Sequence, residues 1–398
     1  MRSLLLAKGG LNKVKAHHKE LKQSDVEESI KSLSPGEWCS FTHPTLPLAM
    51  IGFVNPIIEE KFVCIYLVAE VDAQKISEFS VENFLRSVLT KAFNRRQYFK
   101  SYQRAARIFY GISDGLPGLI IDQFNDKAII QINTAGIDRY RNLIKSTVES
   151  LISGEAFMLD NAKYREKELL PTYDTEPVPS LEIEENGLKF FIRSEVLQKV
   201  GFYYDHRENR YQLIQLLGRL NQKFEHATDL FCYAGAWGIS ALKAGVKKVS
   251  FVDQGDFENE INAGLELNGF EGRGLFFRSD VFKFLDAAIS KKQTFDLILC
   301  DPPAFAKSLN QKDQALEGYS KLHRKVMKAA SPGAVVAFSS CTHYVSHEEF
   351  QKNILDAANK ENKKIQLLYC GIQGWDHPVA SLMEKANYIK SYFYLMES

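Results

Sequence analysis

The sequence predicts a multidomain protein whose C-terminal half is an α/β domain built on a mostly parallel, doubly wound sheet. Three observations predict it. At 398 residues the chain exceeds what one ordinary hydrophobic core organises. After Gly201 short apolar runs (Thr228 to Phe231, Val249 to Val252, Leu275 to Arg278, Phe295 to Leu299 and Val335 to Phe338) alternate with helical stretches at Ile239 to Lys243, Phe257 to Leu267 and Tyr319 to Ala330. Up to about residue 72 the pattern differs: Ser34-Pro35-Gly36, His43-Pro44, Leu46-Pro47 and Asn55-Pro56 cut the chain into short strand-like pieces such as Phe62 to Val68, the mark of a small β-rich module.

Composition narrows the class. Hydrophobic residues make up 45% and charged residues 25%, and no apolar run approaches the roughly 20 residues of a membrane span. The start MRSLLLAKGG falls short of a secretory signal, so a cytoplasmic protein is expected. Six cysteines without a CxxC pair read as free thiols, with Cys39, Cys64 and Cys370 as small buried hydrophobes and Cys300 as strand filler. His343 and His347 lack a third ligand, so no metal site is expected. A net charge of +1 gives no global reason to bind nucleic acid.

Between the two ends lies an α+β piece. A helical pattern runs from Val81 to about Ala106, followed by the turn Asp114 to Gly118 and strands at Leu119 to Gln123 and Ala128 to Ile132. From Asn83 to Ser113 there are seven basic residues and no acid: Arg86, Lys91, Arg95, Arg96, Lys100, Arg104 and Arg107, interleaved with Phe93, Tyr98, Phe99 and Tyr102. Such a stretch either grips phosphates and stacks bases or is a solvated helix with its rings packed inward. The segment 161–179 is polar and reads as a loop, and Asn186-Gly187 between Leu181 to Glu184 and Leu188 to Ile192 predicts a hairpin.

The chemistry concentrates at the ends of the C-terminal strands. Asp229-Leu230-Phe231-Cys232-Tyr233-Ala234-Gly235-Ala236-Trp237-Gly238 joins a strand to a helix through small residues that let a ligand approach the backbone, where open α/β sheets bind cofactors. It is neither GxGxxG nor a P-loop, so pyrophosphate is not the obvious guest. Asp253, Asp280 and Asp301 each close a strand. One alone reads as a helix cap; three along one edge suit a nucleoside, the first holding ribose hydroxyls and the second reaching an adenine amino group. Cys341, after the fifth strand, stands where a thiol could attack carbon 6 of a pyrimidine.

Six strings in order carry a resemblance: DGLPGLIID (114–122), GFYYDHRENR (201–210), DLFCYAGAWG (229–238), DPPAF (301–305), SSCT (339–342) and DHPV (376–379). They resemble the bacterial 23S ribosomal RNA cytosine-5 methyltransferases, which join a PUA domain, a central α+β domain and a Rossmann-like class I methyltransferase domain. The resemblance implies residues 1–72 as a PUA-like RNA-binding domain, 73–183 as the central domain and 184–398 as the methyltransferase domain. In the first of these only PGEW and the GF and NP around Val54 are recognisable, and the stretch EKANYIK (384–390) departs from the family pattern.

The resemblance also implies roles. Phe231, Tyr233, Ala234 and Gly235, with Asp229, Asp253, Asp280 and Asp301, would bind S-adenosyl-L-methionine, with Asp205 and Arg207 near it. Asp301 would also face the target base, a protonated carboxyl assisting at ring nitrogen 3, and Cys341 falls on the nucleophile position. DPPAF carries no second cysteine, so removal of the carbon-5 proton would need water or another base. The partner would be ribosomal RNA, 23S, acted on by a monomer or homodimer. Three rivals remain: methylation of a guanine ring nitrogen, disfavoured by the thiol; a non-catalytic RNA-binding assembly factor; and a dinucleotide oxidoreductase, disfavoured by the missing GxGxxG.

Overall fold

The structure is a computed structural model that describes residues 1–160, 165–171, 173, 177–196, 201–306, 308–380 and 386–397. Parts of the polar segment 161–179, and Glu384 and Lys385 of EKANYIK, lie outside the described residues. The chain divides into two compact units, 1–179 with 198–201, and 180–197 with 202–398.

The first unit holds two sheets. Strands β1 (Arg2–Leu5), β2 (Glu20–Leu21), β3 (Glu37–Thr42), β4 (Leu48–Val54) and β5 (Ile65–Asp72) form the first, in order β1-β3-β4-β5-β2, with β1 and β3 parallel. A helix absent from the sequence reading, Lys8–Lys15, follows β1. Strands β6 (Ala105–Tyr110), β7 (Leu119–Phe124), β8 (Lys127–Ile132) and β9 (Glu155–Met158) lie in sequence order in the second sheet. Trp38, Ile51 and Phe53 share a core with Leu85, Leu89 and Ile121.

The helix that opens at Val81 ends at Gln97, not at Ala106: Ala105 and Ala106 already belong to β6. Of the seven basic residues, Arg96 and Arg107 are turned inward, while Arg86, Lys91, Arg95, Lys100 and Arg104 are exposed. Arg96, 1% exposed, grips Asp114 with two bonds of 2.7 Å, Arg95 adds a third at 2.9 Å, and Arg107 clasps Asp122 at 2.8 and 2.9 Å. Tyr102 is buried, and Phe93 and Phe99 pack on the core. Tyr98 projects at 85% exposure, with Lys91, Lys100 and Arg104 also exposed.

The second unit opens with the hairpin β10 (Leu181–Glu185) and β11 (Leu188–Ile192), whose turn residues Asn186 and Gly187 have φ of 55° and 68°, as a tight right-twisted hairpin requires. Lys189 and Asn268 exchange two bonds of 2.9 and 2.7 Å, and Arg193 pairs with Glu260 at 2.5 Å, fixing the hairpin beside the helix Glu258–Leu267. Beyond it strands β12 (His226–Leu230), β13 (Lys248–Asp253), β14 (Gly274–Arg278), β15 (Phe295–Cys300), β16 (Ala330–Ser340), β17 (Ile365–Gly371) and β18 (Lys390–Met396) make one sheet, in order β14-β13-β12-β15-β16-β18-β17. The five expected strands are parallel; β17 and β18 were not foreseen, and β18 runs antiparallel between β16 and β17. Cys39 and Cys64 are buried as expected, whereas Cys370, on the edge strand β17, is exposed. Among the described residues no helix is long and apolar enough to cross a membrane.

A buried charge cluster ties the hairpin to the helix Arg207–Leu217. Glu185 accepts from Arg210 at 2.6 and 2.8 Å and from Arg207 at 3.3 Å, with all three side chains at most 2% exposed. Removing the carboxylate leaves two guanidinium groups without their buried counter-ion, which typically costs about 3–5 kcal/mol. Glu185→Ala should therefore lose about that much unfolding free energy in urea titration; an unchanged midpoint would show that the cluster contributes nothing to stability.

Candidate active site

Neighbours in sequence β12 and β13 pair on one side of β12, while β15 pairs on its other side, so the chain leaves the carboxyl ends of β12 and β15 in opposite directions. A crevice opens at such a point in open α/β sheets. The loop from Phe231 to Gly235 forms its floor. Phe231 (φ 62°), Tyr233 (φ 46°) and Gly235 (φ 76°) are all left-handed, a conformation that non-glycine residues adopt at a cost and that gathers at ligand sites. A Cβ on Gly238 would come within 2.3 Å of Phe251, so only glycine lets the helix Ala236–Lys243 approach β13 this closely.

Hydrogen bonds hold this backbone. The amides of Phe231 and Cys232 both donate to Val252 O at 2.9 and 3.1 Å, and Gly235 N donates to Cys232 O at 2.8 Å. Asp253 receives Tyr233 N on one oxygen at 3.1 Å and Gly255 N on the other at 2.9 Å, which aims its half-buried carboxylate along the rim. Asp229 lies beneath the loop, 1% exposed, with one oxygen accepting Gly238 N at 2.8 Å and the other buried without a partner. Burial pushes its carboxyl well above the ordinary carboxylate range; the Gly238 bond opposes this, and the Asp301 and Asp253 charges add to it.

The remaining predicted residues are placed as follows. Asp280 caps the helix Val281–Ser290, accepting Lys283 N at 3.0 Å, while its second oxygen takes Gln254 Nε2 at 2.7 Å. Arg207 is turned into the Glu185 cluster. Asp205 is buried and accepts the Tyr388 hydroxyl at 2.7 Å. Asp301, one residue beyond β15, accepts Trp237 Nε1 at 3.1 Å and faces His206 Nε2 at 3.4 Å. Cys341 is half-buried one residue beyond β16. Thr342 Oγ1 donates to Ala306 O at 3.1 Å, tying the Cys341 loop to the loop that Asp301 opens. Tyr319, buried and bonded to Ser340 Oγ at 2.9 Å, lies within electrostatic reach of both Asp301 and Cys341.

His206, Trp237, Tyr319, Tyr388 and Lys390 went unassigned in the sequence. His206 stands inside GFYYDHRENR and Trp237 inside DLFCYAGAWG, so their strings were visible though their partners were not.

The comparisons agree with this geometry. The family model of S-adenosylmethionine-dependent methyltransferases matches residues 138–348. The chain belongs to that family. A ribosomal RNA large subunit methyltransferase I from Aeromonas hydrophila is 34% identical over 287 residues, covering 70% of this chain and 71% of the relative. One of the same name from Vibrio campbellii is 28% identical over 337 residues, covering 80% and 83%. Among solved structures, a methyltransferase from Streptococcus mutans shares the fold at TM-score 0.76 and 19% identity over 99% of this chain and all of that one; another, complexed with S-adenosylhomocysteine, scores 0.77 at 19% identity and the same coverage. The large-subunit ribosomal RNA methyltransferase family and the doubly wound C-terminal domain are thus shown, and the cofactor is S-adenosyl-L-methionine. The site fits it: side-chain-free backbone at Gly235, an oriented carboxylate at Asp253 and the partnerless buried oxygen of Asp229 all stand at the β12 end.

His206 supplies a pH test. Burial opposes its cation, but the charge of Asp301, 3.4 Å away, and that of Asp205 outweigh it, so its pKa lies above the ordinary value of 6.5. A group raised on folding adds stability that is complete below its unfolded pKa and disappears as pH climbs through the folded one. His206→Asn should therefore cost more stability at pH 6 than at pH 9 in thermal melts; an equal loss at both would exclude the Asp301 pairing as its source.

Proposed function

We propose that this chain transfers a methyl group to carbon 5 of a cytosine in large-subunit, 23S, ribosomal RNA, with Cys341 as nucleophile. The observation that carries the reading is a half-buried thiol at the end of β16, with its loop bonded to the DPPAF loop and Asp301 on the same sheet edge. The relatives named for large-subunit ribosomal RNA support the substrate. Tyr98, exposed beside Lys91, Lys100 and Arg104, suits stacking and phosphate contact, and residues 1–72 are assigned the PUA-like RNA-binding role.

When bound, the cofactor supplies an electrophilic methyl on a sulfonium. The Cys341 thiolate forms a bond to carbon 6 of the ring, and the electrons of the 5,6 double bond move toward nitrogen 3, where Asp301 delivers a proton, with His206 3.4 Å behind it as the reservoir. Carbon 5 would then be nucleophilic and would take the methyl as its bond to the sulfonium sulfur breaks, the pair staying on sulfur as a neutral thioether. Loss of the carbon-5 proton to a base re-forms the double bond, nitrogen 3 returns its proton, and the thiolate leaves. Asp253 would hold the cofactor's ribose end, while Asp229 and Arg207 would position the elements around it.

Two outcomes test this. Cys341→Ala should abolish methyl transfer to 23S RNA from a deletion strain while leaving cofactor affinity by calorimetry within about twofold; a comparable turnover number would exclude the covalent route. Asp253→Ala should weaken cofactor binding about tenfold, close to 1.4 kcal/mol, whereas Asp280→Ala should chiefly cost the cap, about 1 kcal/mol of stability. The reverse pattern would exchange the roles of the two acids.

A further inference from the structure

Lys390 is the first residue of β18 and pairs in register with Ser340, the last residue of β16 and the one before Cys341. It is 2% exposed. Its Nζ donates to Thr342 O at 2.5 Å and to Tyr388 O at 3.0 Å, so the ammonium is clamped across the turn that carries the thiol. Among the described residues it forms no ion pair. Tyr388, whose carbonyl it binds, stacks on His343 at 5.1 Å and donates its hydroxyl to Asp205 at 2.7 Å. Glu349, on the helix His347–Lys360, is engaged by Lys312 at 2.5 Å and by the Ser346 amide at 2.9 Å. His347 bonds Tyr392 at 3.0 Å, and burial, with Lys390 second, keeps it below the ordinary histidine value. Tyr319, on the helix Lys312–Ala329, bonds Ser340, and Asp301 takes Trp237.

A buried ammonium held only by carbonyls is costly without an anion. Besides Glu349, which Lys312 already engages, the group whose charge acts on Lys390 is Cys341, and it acts more strongly than Glu349. Burial pulls Lys390 down to about 8 while the Cys341 charge acts in the opposite direction, which puts the thiol within electrostatic reach and leaves the amine mostly protonated at neutral pH.

We propose that Lys390 is the positioning cation of the nucleophile: its ammonium, clamped by the carbonyls of Thr342 and Tyr388, holds the Cys341 thiol as thiolate. The proton lost from Sγ goes to solvent before the base enters, and the same cation stabilises the thiolate again when it is expelled. This rests on Cys341 being the nucleophile, yet the two claims fail separately. Lys390 is read out by thiol titration without RNA, the nucleophile by methyl transfer.

The experiment is iodoacetamide alkylation of the full chain across pH 6–10, resolved by peptide mass spectrometry, with exposed Cys370 as the internal reference. In the unmodified protein Cys341 should titrate below the ordinary thiol value of about 8.5. Lys390→Met should raise its midpoint by about one unit and slow alkylation at pH 7 about tenfold, Lys390→Arg should restore most of the rate, and Cys370 should not move. A Cys341 midpoint unchanged in folded Lys390→Met overturns the proposal. Should that variant not fold, a midpoint at or above 8.5 in the unmodified protein overturns it alone. An active Cys341→Ala alongside a shifted midpoint would reject the covalent reading and keep the pairing.

Discussion

Everything at the site hangs from one reversal in strand order. Leu230 pairs with Val252 on one side and Cys300 on the other, and Cys300 pairs with Phe338, so the ends of four parallel strands are locked in one register. That register decides who can meet. Asp253 and Asp301 sit level with the loop at Phe231, and Cys341 stands three residues past the Phe338 rung, on the neighbouring strand from Asp301. Slipping any pairing by one residue would turn the strand's inward residues outward and carry the terminal acid or thiol away. The antiparallel β18 completes the device: pairing backwards along β16, it brings its own first residue, Lys390, to the strand end where Cys341 begins.

Buried charge then fixes what the sheet has placed. Glu185 binds Arg207 and Arg210, which open the helix that follows His206; His206 faces Asp301; Asp301 also takes the indole of Trp237, from the helix that follows the cofactor loop. A buried ion without its partner is far more expensive than a missing surface pair, so each link tolerates little movement in the next. Specific geometry, more than net stability, is what such a chain provides. The Arg96–Asp114 and Arg107–Asp122 clasps do the same for β6 and β7 in the first unit, which is why two of the seven cations in that stretch are turned inward while the others stay exposed.

Much of this was legible in the sequence, and the reasons differ by element. The five parallel strands were readable because short strand-like runs alternate with helical stretches, four of them ending at or just before a polar residue and β12 running into the small-residue loop after Phe231. The strands β17 and β18 were not, since IQLLYCG and KSYFYLM are mixed in polarity and nothing local marks a reversed strand inserted at the sheet's edge. The helix from Val81 was read nine residues too long because no glycine or proline lies between Val81 and Gly111 to mark its end. Cys341 was visible as a residue; Lys390 was not, because its meaning comes from a pairing across a segment of 50 residues, recorded only in the fold.

The three strand-end acids look alike in sequence and diverge in the structure, and the divergence has an electrostatic logic. Asp280 is consumed by a helix amide and Gln254. Burial raises the pKa of Asp229, and the nearby Asp301 and Asp253 add to that, so Asp229 is held toward its neutral form beside two further acids. Acidic side chains beside the loop suit a guest that is itself cationic, as a sulfonium is, better than the phosphates that a glycine-rich turn otherwise attracts. On the β16 side the sign changes: buried Lys390 forms no ion pair among the described residues, and the charges that act on it are those of Cys341 and Glu349. Methylation of a pyrimidine carbon through a thiol, as proposed, needs a methyl cation equivalent and a thiolate, and Asp253 ends β13 while Cys341 follows β16, on either side of β12 and β15 along one sheet edge.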